Sequence, residues 1–483
     1  MIHYDQINNL PYEPRPAHDV SPRTLEALLG AVQAAANGKA RAIAGGWGFS
    51  MAGTTEGTRI RTPGYSGLIE PDCLKPGVTS RPFDFDPIVP HETPGPVVRV
   101  LAGTTFGELN GLLGPLAVVN QPGFEDLTIG GVMMVGGHGS GIRRGNIASQ
   151  VRSMDLIVVN AARQAQLVRI EAASDRITDR AAFEAKYPGA LLQDADDAVF
   201  NAAKVSFGSM GVLLSVVIDT RPAYRLEEDR DLRSLWEDFE KLERQVREDS
   251  VSGVHLWINP YRVGADWKAV QSTYRRSLDM KRNERAWGIR EADSPMTRKA
   301  LRLVATKAPR LLPFALEYSL RTVDADDVVM QSPEALDFGP PNRLPVAASS
   351  CSIPADGLKE QLEQLLAHFK EGFGKTYVSS PIGLRWVKAS DAYLAPQYGR
   401  DSVMIEVPVL NDTPHQQDTL ERYVEFMVTK LGARPHWGQR LQLSPAQLRS
   451  IYGNEAVDTF IRVRRQLDPL AVFDNPLTRH LGL

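Results

Sequence analysis

The sequence predicts an α+β protein in which a unit with two glycine-rich loops is followed by a sheet covered by helices. Short apolar strands alternate with amphipathic helices along the chain. Two glycine runs, residues 45–50 and 128–141, follow or flank such strands, and they are called here the first and the second glycine loop. After about Tyr224 single strands alternate with charged helices, a pattern typical of one covered sheet.

Composition limits the classes of function that the chain can serve. Its 483 residues, 43% of them apolar, are enough for two or three domains with a full core. A net charge of -3 gives no basis for nucleic-acid binding. Cys73 and Cys351 are the only cysteines, which excludes a disulfide framework and predicts a cytoplasmic protein. No secretory signal pattern opens the sequence, and no run of eighteen apolar residues predicts a membrane span.

The N-terminal elements follow from capping and turn signals. Ser21 as N-cap and Pro22 at the first position predict a helix that ends at Asn37 and Gly38. A short strand then enters the first glycine loop, and the proline-rich stretch that follows is predicted to be mostly loop. The remaining predictions are a loop at 67–96, a strand and helix at 97–116, a hairpin at 151–170 and a strand at 209–222.

The second half predicts a charged helix over 226–249, a strand near 254–261 and a basic helical segment over 275–318. Two helices and two strands follow it. Within the basic segment, charged side chains lie among leucines and two prolines interrupt the pattern, so a solvated helix face is the preferred interpretation; peripheral membrane contact is the alternative. The charged residues are Arg298, Lys299, Arg302, Lys307 and Arg310.

The glycine loops are the main candidate binding features. Exposed amides of the first loop can hold a pyrophosphate without a lysine, although an ordinary tight turn has the same composition. His138 in the second loop is either a ligand contact or a structural histidine. Two such loops in one domain favour a large dinucleotide. The Walker pattern and any metal-ligand spacing are absent, and a serine hydrolase is poorly supported.

An ordered set of motifs resembles the vanillyl-alcohol-oxidase-type flavoproteins. The set is GGWGFS, VLAGTTFGELN, LTIGGVMMVGGHGSG, GNIASQVRSMDLIVV, SMGVLLSVVIDTRP, ARPHWGQ and DPLAVFDN, and it looks most like the alditol oxidase and aldonolactone oxidase branch. The resemblance implies a PCMH-type FAD-binding domain of two subdomains over residues 1–225. It implies a cap domain with an antiparallel sheet covered by helices over 226–430, and a C-terminal segment, 431–483, that returns to the FAD site.

The resemblance also assigns residues to the cofactor. The first loop would hold the pyrophosphate, the second loop and the segment after it would line the flavin and its phosphates, and the tail would close the site. The implied cofactor-binding residues are Gly45, Gly46, Trp47, Gly48, Phe49, Ser50, Thr128, Ile129, Gly130, Gly131, His138, Gly139, Ser140, Gly141, Gly145, Asn146, Ile147, Ala148, Val212, His436 and Asn475.

Four positions depart from the resembled pattern. Trp47 occupies the place of the histidine that tethers the flavin in alditol oxidases, which predicts FAD bound non-covalently. Gln439, Gly383 and Val132 replace a lysine, a glutamate and a serine that hold a sugar alcohol, so we expect a less hydroxylated substrate.

Two other side chains are candidates for the chemistry itself. Arg385 matches the strand arginine that faces substrate and flavin, and it is the predicted catalytic residue beside Gln439. Glu406 lies on a neighbouring strand as a replacement polar group or base.

These features predict an FAD-dependent oxidoreductase that transfers hydride from a CH–OH or CH–NH carbon to flavin N5, with O2 or another compound as electron acceptor. Two alternatives stay open: an oxidative tailoring enzyme of a biosynthetic pathway, and a flavin-binding protein with a decayed site. A small-molecule substrate is expected in the first two cases.

Overall fold

A three-stranded parallel sheet positions the first glycine loop. In this computed structural model, which describes residues 16–78, 96–194, 196–277, 295–321, 328–336, 346–411 and 413–483, the loop leaves strand β2 of that sheet. Helix α1 shares a buried apolar cluster with this sheet through Leu28, Val32 and Ile60. Its N-cap is Thr24, whose hydroxyl accepts from the Ala27 amide at 3.1 Å, rather than the predicted Ser21. The elements are β1 (His18–Val20), α1 (Leu25–Ala34), β2 (Ala40–Ile43) and β3 (Thr58–Arg61).

A six-stranded sheet, in the order β4-β5-β10-β7-β8-β9, forms the second half of the N-terminal unit. The predicted hairpin is confirmed, because the Asn160 side chain accepts from the amides of Ala162 and Gln164 and so closes the turn between β7 and β8. The elements are β4 (Leu68–Ile69), β5 (Val98–Leu101), α2 (Phe106–Leu113), β6 (Leu116–Val118), α3 (Ile129–Met134), β7 (Val151–Val159), β8 (Ala165–Glu171), α4 (Arg180–Lys186), β9 (Leu191–Leu192), α5 (Asp197–Lys204), β10 (Val212–Ile218) and β11 (Thr220–Pro222), the last paired with β6.

An eight-stranded antiparallel sheet follows, in the order β15-β12-β14-β13-β17-β18-β16-β19, and is called here the cap sheet. Its strands and helices are β12 (Arg225–Ser234), α6 (Phe239–Gln245), β13 (Val251–Ile258), β14 (Lys268–Ser277), α7 (Pro295–Lys307), α8 (Leu312–Arg321), β15 (Val328–Gln331), α9 (Ser332–Leu336), β16 (Val346–Pro354), α10 (Leu358–Gly372), β17 (Ile382–Val387), β18 (Ser402–Leu410), α11 (Gln416–Leu431) and β19 (Arg434–Pro435). The predicted antiparallel sheet with helices over it is confirmed, whereas the predicted domain limits stay predictions.

The charged helix predicted over 226–249 is wrong for its first half, which is strand β12. Leu226, Glu228 and Arg230 are buried at alternate positions, and this period of two is the pattern of a strand. The two buried charges made the segment resemble a solvated helix. They neutralise each other, since Arg230 donates to both carboxylate oxygens of Glu228 at 2.7 and 2.8 Å.

Two other predictions cross residues that the structure does not describe. The segment 275–318 begins as the end of strand β14 and continues as helices α7 and α8, while its residues 278–294 lie outside the described part. The predicted loop at 67–96 contains the short strand β4, and its residues 79–95 also lie outside the described part.

The C-terminal helices α12 (Pro445–Tyr452), α13 (Asn454–Leu467) and α14 (Pro476–Leu481) return the chain to the first glycine loop. Arg41 is fully buried and donates to the carbonyls of Ala52, Gly208 and Phe473. Burial and the neighbouring Arg464 lower the pKa of Arg41 to about 9. These bonds connect the strand before the loop, the six-stranded unit and the tail. Along the described chain, no helix has the length and apolar character needed to span a bilayer.

Candidate active site

A cavity of about 650 Å³ lies between the two glycine loops, the cap sheet and residues 436–439, called here the tail loop. The cavity brings together many of the residues singled out in the sequence, from both halves of the chain. Those that line it are Gly45, Gly46, Trp47, Gly48, Phe49, Ser50, Thr128, Gly130, Gly131, Val132, His138, Gly383, Arg385, Glu406, His436 and Gln439.

The first glycine loop is an open row of backbone amides. Gly46 has φ +76°, a left-handed conformation that glycine adopts without strain. Among the described residues, no acceptor is hydrogen-bonded to the amides of residues 45–48. The tail loop fixes the far end, because the Phe49 amide donates to the Gly438 carbonyl at 2.8 Å. Consecutive unsatisfied amides facing a cavity form an anion-binding surface.

The second glycine loop packs closely against the first. Thr128 caps helix α3 by accepting from the Gly131 amide at 3.2 Å, and the Gly130 amide donates to the Ala102 carbonyl at 3.1 Å. A Cβ added at Gly131 would lie 2.7 Å from the Cβ of Ala44, which precedes the first loop. A side chain at Gly131 would therefore push the two walls of the cavity apart.

The residues present fit an FAD molecule. The cavity is lined by both glycine loops and by a face of the cap sheet, it offers free amides at one end, and many apolar side chains and the imidazoles of His138, His255 and His436 line it elsewhere. The first loop would hold the pyrophosphate, and the region around His138 and His436 would hold the flavin ring. No described group of three or more His, Cys, Asp or Glu side chains could bind a metal ion.

Several predicted cofactor residues do not line the cavity. Two of them instead join the N-terminal unit to the cap sheet: Ser140 donates to the Val254 carbonyl at 2.6 Å, and the Gly141 amide donates to the Trp386 carbonyl at 2.7 Å. A role in cofactor binding stays a prediction for these residues. They are Ile129, Gly139, Ser140, Gly141, Gly145, Asn146, Ile147, Ala148, Val212 and Asn475.

Asn475 supports the first loop indirectly. Its side-chain amide donates to the carbonyls of Met51, Ala52 and Thr54 at 2.9 to 3.2 Å, and its oxygen accepts from the Thr478 amide at the start of α14. The side chain is completely buried. Asn475 therefore anchors residues 51–54, just after the loop, and does not itself line the cavity.

A hydrogen-bonded cluster of three side chains forms the polar centre of the cavity. Arg385 on β17 donates to Oε2 of Glu406 on β18 at 3.2 Å, and Nε2 of Gln439 in the tail loop donates to Oε1 of the same carboxylate at 2.6 Å. The side chains of Arg385 and Glu406 are 17% and 27% exposed. The predicted residues Arg385, Glu406 and Gln439 thus share one site.

Cross-strand register places Glu406 directly beside Gly383. Gly383 and Ser350 are the partners of Glu406 on the two neighbouring strands. A Cβ at Gly383 would meet no atom within 4 Å, so that position leaves open space beside the cluster. The carboxylate of Glu406 reaches Arg385 from the adjacent strand.

Two polar atoms of this centre are buried without a hydrogen-bond partner among the described residues. They are Oε1 of Gln439 and Oγ of Ser350, and both residues line the cavity. A buried polar atom that stays unpaired costs about 1–3 kcal/mol. Both atoms are therefore candidates to receive polar atoms of a bound ligand.

Three buried histidines surround Arg385, and all are neutral near pH 7. Burial is the main cause of the lowered pKa of His138, His255 and His436, and the charge of Arg385 is the next. His436 Nδ1 accepts from the Gly438 amide at 3.1 Å, which leaves the proton on Nε2. His138 Nδ1 lies 2.9 Å from the Gly139 carbonyl, which can only accept, so Nδ1 carries its proton. Arg385 is thus the cation of the group.

These histidines predict a loss of stability in mild acid. The pKa of His436 is lowered from 6.5 to about 4, so between those values the unfolded chain binds a proton that the folded chain does not. The contribution of His436 to the free energy of unfolding is therefore fully present above about pH 6.5 and is lost as the pH falls from 6.5 towards 4. Between about pH 7 and pH 5 the loss from His436 alone is about 2 kcal/mol.

Urea unfolding at both pH values measures this effect. In His436→Asn the amide oxygen can still accept from Gly438 but takes up no proton, so we expect the pH-dependent loss to shrink by about 2 kcal/mol. His480→Asn, on an exposed position of α14, is the matched control. An unchanged pH dependence in His436→Asn contradicts the assignment.

Sequence reasoning missed three chemically important wall residues: Arg230, His255 and Trp257. His255 and Trp257 alternate on strand β13, and His255 pairs with Arg385 in register. The alternation in VHLWINPY was a usable signal for a shared face. Arg230 could not be found in the same way, because its segment was predicted to be helical.

Comparison with known proteins finds relatives over nearly the whole chain. The D-arabinono-1,4-lactone oxidase family matches residues 216–481, more than half of the chain. L-gulono-1,4-lactone dehydrogenase of Mycobacterium tuberculosis is 26% identical over 469 residues, covering 95% of this chain and 94% of the relative. Alditol oxidase of a Streptomyces species is 25% identical, with 98% and 97% covered.

A solved structure shares the fold. Cholesterol oxidase of Brevibacterium sterolicum superimposes with a TM-score of 0.73 at 14% identity, covering 96% of this chain and 93% of that one. The fold and site thus define a PCMH-type flavoprotein with an antiparallel cap, as predicted. The chain belongs to the D-arabinono-1,4-lactone oxidase family and is an FAD-dependent oxidoreductase that acts on CH–OH donors.

Proposed function

We propose that this enzyme binds FAD non-covalently and oxidises an alcohol that has one polar end and an apolar body. The observation that carries the proposal is the cluster of Arg385, Glu406 and Gln439 at one place in an otherwise largely apolar cavity. When bound, FAD supplies the two-electron acceptor for the hydride that the substrate carbon loses.

The cluster divides the work of alcohol oxidation among its side chains. Glu406 is the base that takes the hydroxyl proton on a carboxylate oxygen. Arg385, held by Glu406, stabilises the negative charge that develops on the substrate oxygen. The unpaired Oε1 of Gln439 and Oγ of Ser350 accept or exchange hydrogen bonds with the same end of the substrate. The neutral His436 offers its Nε2 proton without adding charge.

The rest of the cavity favours an apolar body. Beyond the cluster its wall includes Trp257, Leu301, Leu320, Pro408 and Leu410. A sugar alcohol placed against these side chains would lose its hydrogen bonds to water without replacing them, which is unfavourable by about 1–3 kcal/mol for each buried hydroxyl. The absence of charge at Gly383 and of a hydroxyl at Val132 supports the same preference.

A decayed flavin-binding protein is less well supported. Mutational decay has no reason to preserve a continuous chain of hydrogen bonds from Gln439 through Glu406 to Arg385, or three neutral imidazoles around them. An oxidative tailoring enzyme would use the same cluster, and it differs from the proposal only in the substrate.

Anaerobic bleaching of the flavin colour tests the proposal. The panel consists of xylitol and sorbitol, the lactone L-gulono-1,4-lactone, and two less hydroxylated alcohols, cinnamyl alcohol and 1,2-octanediol. We expect the last two to bleach the flavin at least about tenfold faster than the sugar alcohols, as two lost hydrogen bonds imply. Fast bleaching by xylitol would sink the proposed specificity, and no bleaching by any alcohol would favour a decayed site.

Trp47 gives a separate prediction about how the flavin is attached to the protein. The indole packs so closely over the loop that a Cβ at Gly45 would lie 2.9 Å from its Cδ1 atom. An indole offers no nucleophile for a flavin tether, so acid precipitation is expected to release all the yellow colour into the supernatant. Trp47→Ala is expected to raise the Kd for FAD about tenfold by removing an aromatic contact, measured by fluorescence titration. Colour in the wild-type pellet contradicts the non-covalent assignment.

A further inference from the structure

Helices α7 and α8 carry a cluster of apolar side chains on the outside of the molecule. Leu303, Leu311, Phe314 and Tyr318 are between 53% and 67% exposed. The other large apolar side chains that are exposed in the described chain, Ile69, Leu112 and Leu191, are scattered and less exposed. Four exposed apolar groups within one helix pair form a patch of the kind that marks an interaction surface.

The patch is one face of a helix pair whose other face is occupied. Leu311, in the 3-10 turn Pro309–Leu311, and Phe314 and Tyr318 of helix α8 are exposed at helical spacing, while Leu312, Leu316 and Leu320 of the same helix are buried. The side chain of Asn259 donates to the Pro313 carbonyl at 2.9 Å and fastens the pair to the cap sheet. The exposed apolar side chains therefore lie on the outer face of a helix pair whose inner face is already packed against the protein.

The segment that carries this face is also rich in basic residues. Residues 299–321 contain five basic side chains, Lys299, Arg302, Lys307, Arg310 and Arg321, and a single acidic one, Glu317. Glu317 is paired with Arg321 at 2.7 Å. The segment is thus strongly positive, although the chain as a whole carries a net charge of -3. Positive charge around exposed leucine and aromatic groups matches an anionic lipid surface.

We propose that helices α7 and α8 dock the enzyme on an anionic membrane surface. The same helices reach the active site, because Leu301, Ser319 and Leu320 line the cavity. Docking there would place the cap side of the cavity next to the lipid, where an alcohol with an apolar body partitions. Docking goes beyond the proposed function and does not depend on it. Delivery of substrate from the lipid is the one part that rests on the proposed function.

Vesicle flotation with the purified holoenzyme tests the docking surface. The probes are phosphatidylcholine vesicles with and without about one-third phosphatidylglycerol. We expect binding to the anionic vesicles, and its loss on raising the salt from about 0.05 M to 0.5 M. Leu311→Ser/Phe314→Ser/Tyr318→Ser and Lys299→Gln/Lys307→Gln/Arg310→Gln should each lower the partition coefficient at least about tenfold. Leu112→Ser/Leu191→Ser, exposed leucines elsewhere, should leave it unchanged.

Three results overturn the proposal. They are no flotation of the wild type, flotation of both triple variants at the wild-type level, and a wild-type dimer by light scattering that becomes a monomer in the apolar variant without any vesicle binding. The last result would assign the face to a second copy of the chain. Because flotation measures position and bleaching measures turnover, failure of the docking surface and failure of the proposed function are separate results.

Discussion

Arg385→Met is expected to lower the rate of flavin bleaching by about a thousandfold while the protein keeps its FAD. The guanidinium is the cation at the centre of three neutral histidines, and methionine fills much of its volume without charge. Removing a donor aimed at a developing oxyanion costs roughly 10²–10³ in kcat, and here the loss also leaves the Glu406 carboxylate without its cationic partner. Anaerobic stopped-flow bleaching by the best alcohol of the panel measures the effect.

Two controls separate chemistry from folding. Arg275→Met removes an arginine from the same cap sheet that does not line the cavity, and it should bleach at the wild-type rate. Arg385→Lys keeps the charge but not the geometry of the guanidinium, so it should recover part of the activity. If Arg385→Met retains flavin and more than about a tenth of the wild-type rate, Arg385 is not the stabilising cation.

Glu406→Gln is expected to reduce the bleaching rate by about 10² to 10⁴, the range typical for loss of a general base. The amide keeps the size of the carboxylate and can still accept from Arg385, so flavin content and substrate affinity should change little. Glu406→Gln should bleach more slowly with substrate deuterated at the reacting carbon than with unlabelled substrate, because the chemical step limits its rate. Glu227→Gln, on strand β12 and away from the cavity, is the matched control.

The double variant tests whether Arg385 and Glu406 act as a unit. When two residues act as a unit, removing the second after the first costs little. Glu406→Gln combined with Arg385→Met should therefore be about as slow as the slower single variant. Fully multiplicative losses contradict a shared role, and a wild-type rate in Glu406→Gln would remove Glu406 from the chemistry.

Much of the fold could be predicted from the sequence because local signals agreed with tertiary structure. The hairpin around Asn160, the strand before the first glycine loop and the strands of Arg385 and Glu406 all have apolar periods that match their burial. The prediction for strand β12 was wrong for a definite reason. Its inward positions hold Glu228 and Arg230, and only the neighbouring strands show that such charges can pair inside a sheet.

The residues of the candidate site could be proposed from the sequence, but the hydrogen bonds between them could not. Motif order suggested Arg385, Glu406 and Gln439 separately, whereas the bonds between them depend on strand register and on the return of the tail loop. His255 depends on register in the same way, since it faces the cavity only because β13 lies beside β17. A further part of the predicted cofactor set, such as Ser140 and Gly141, bonds to the cap sheet instead.

The fastening of the first glycine loop has a consequence for synthesis of the chain. Its anchors are the Gly438 carbonyl, the Phe473 carbonyl and the Asn475 side chain, about 390 to 430 residues later in the sequence. While the ribosome is still translating, the loop has none of these partners. A nascent chain should thus be unable to retain flavin until residues 438–475 have emerged, so cofactor capture follows the folding of this later segment.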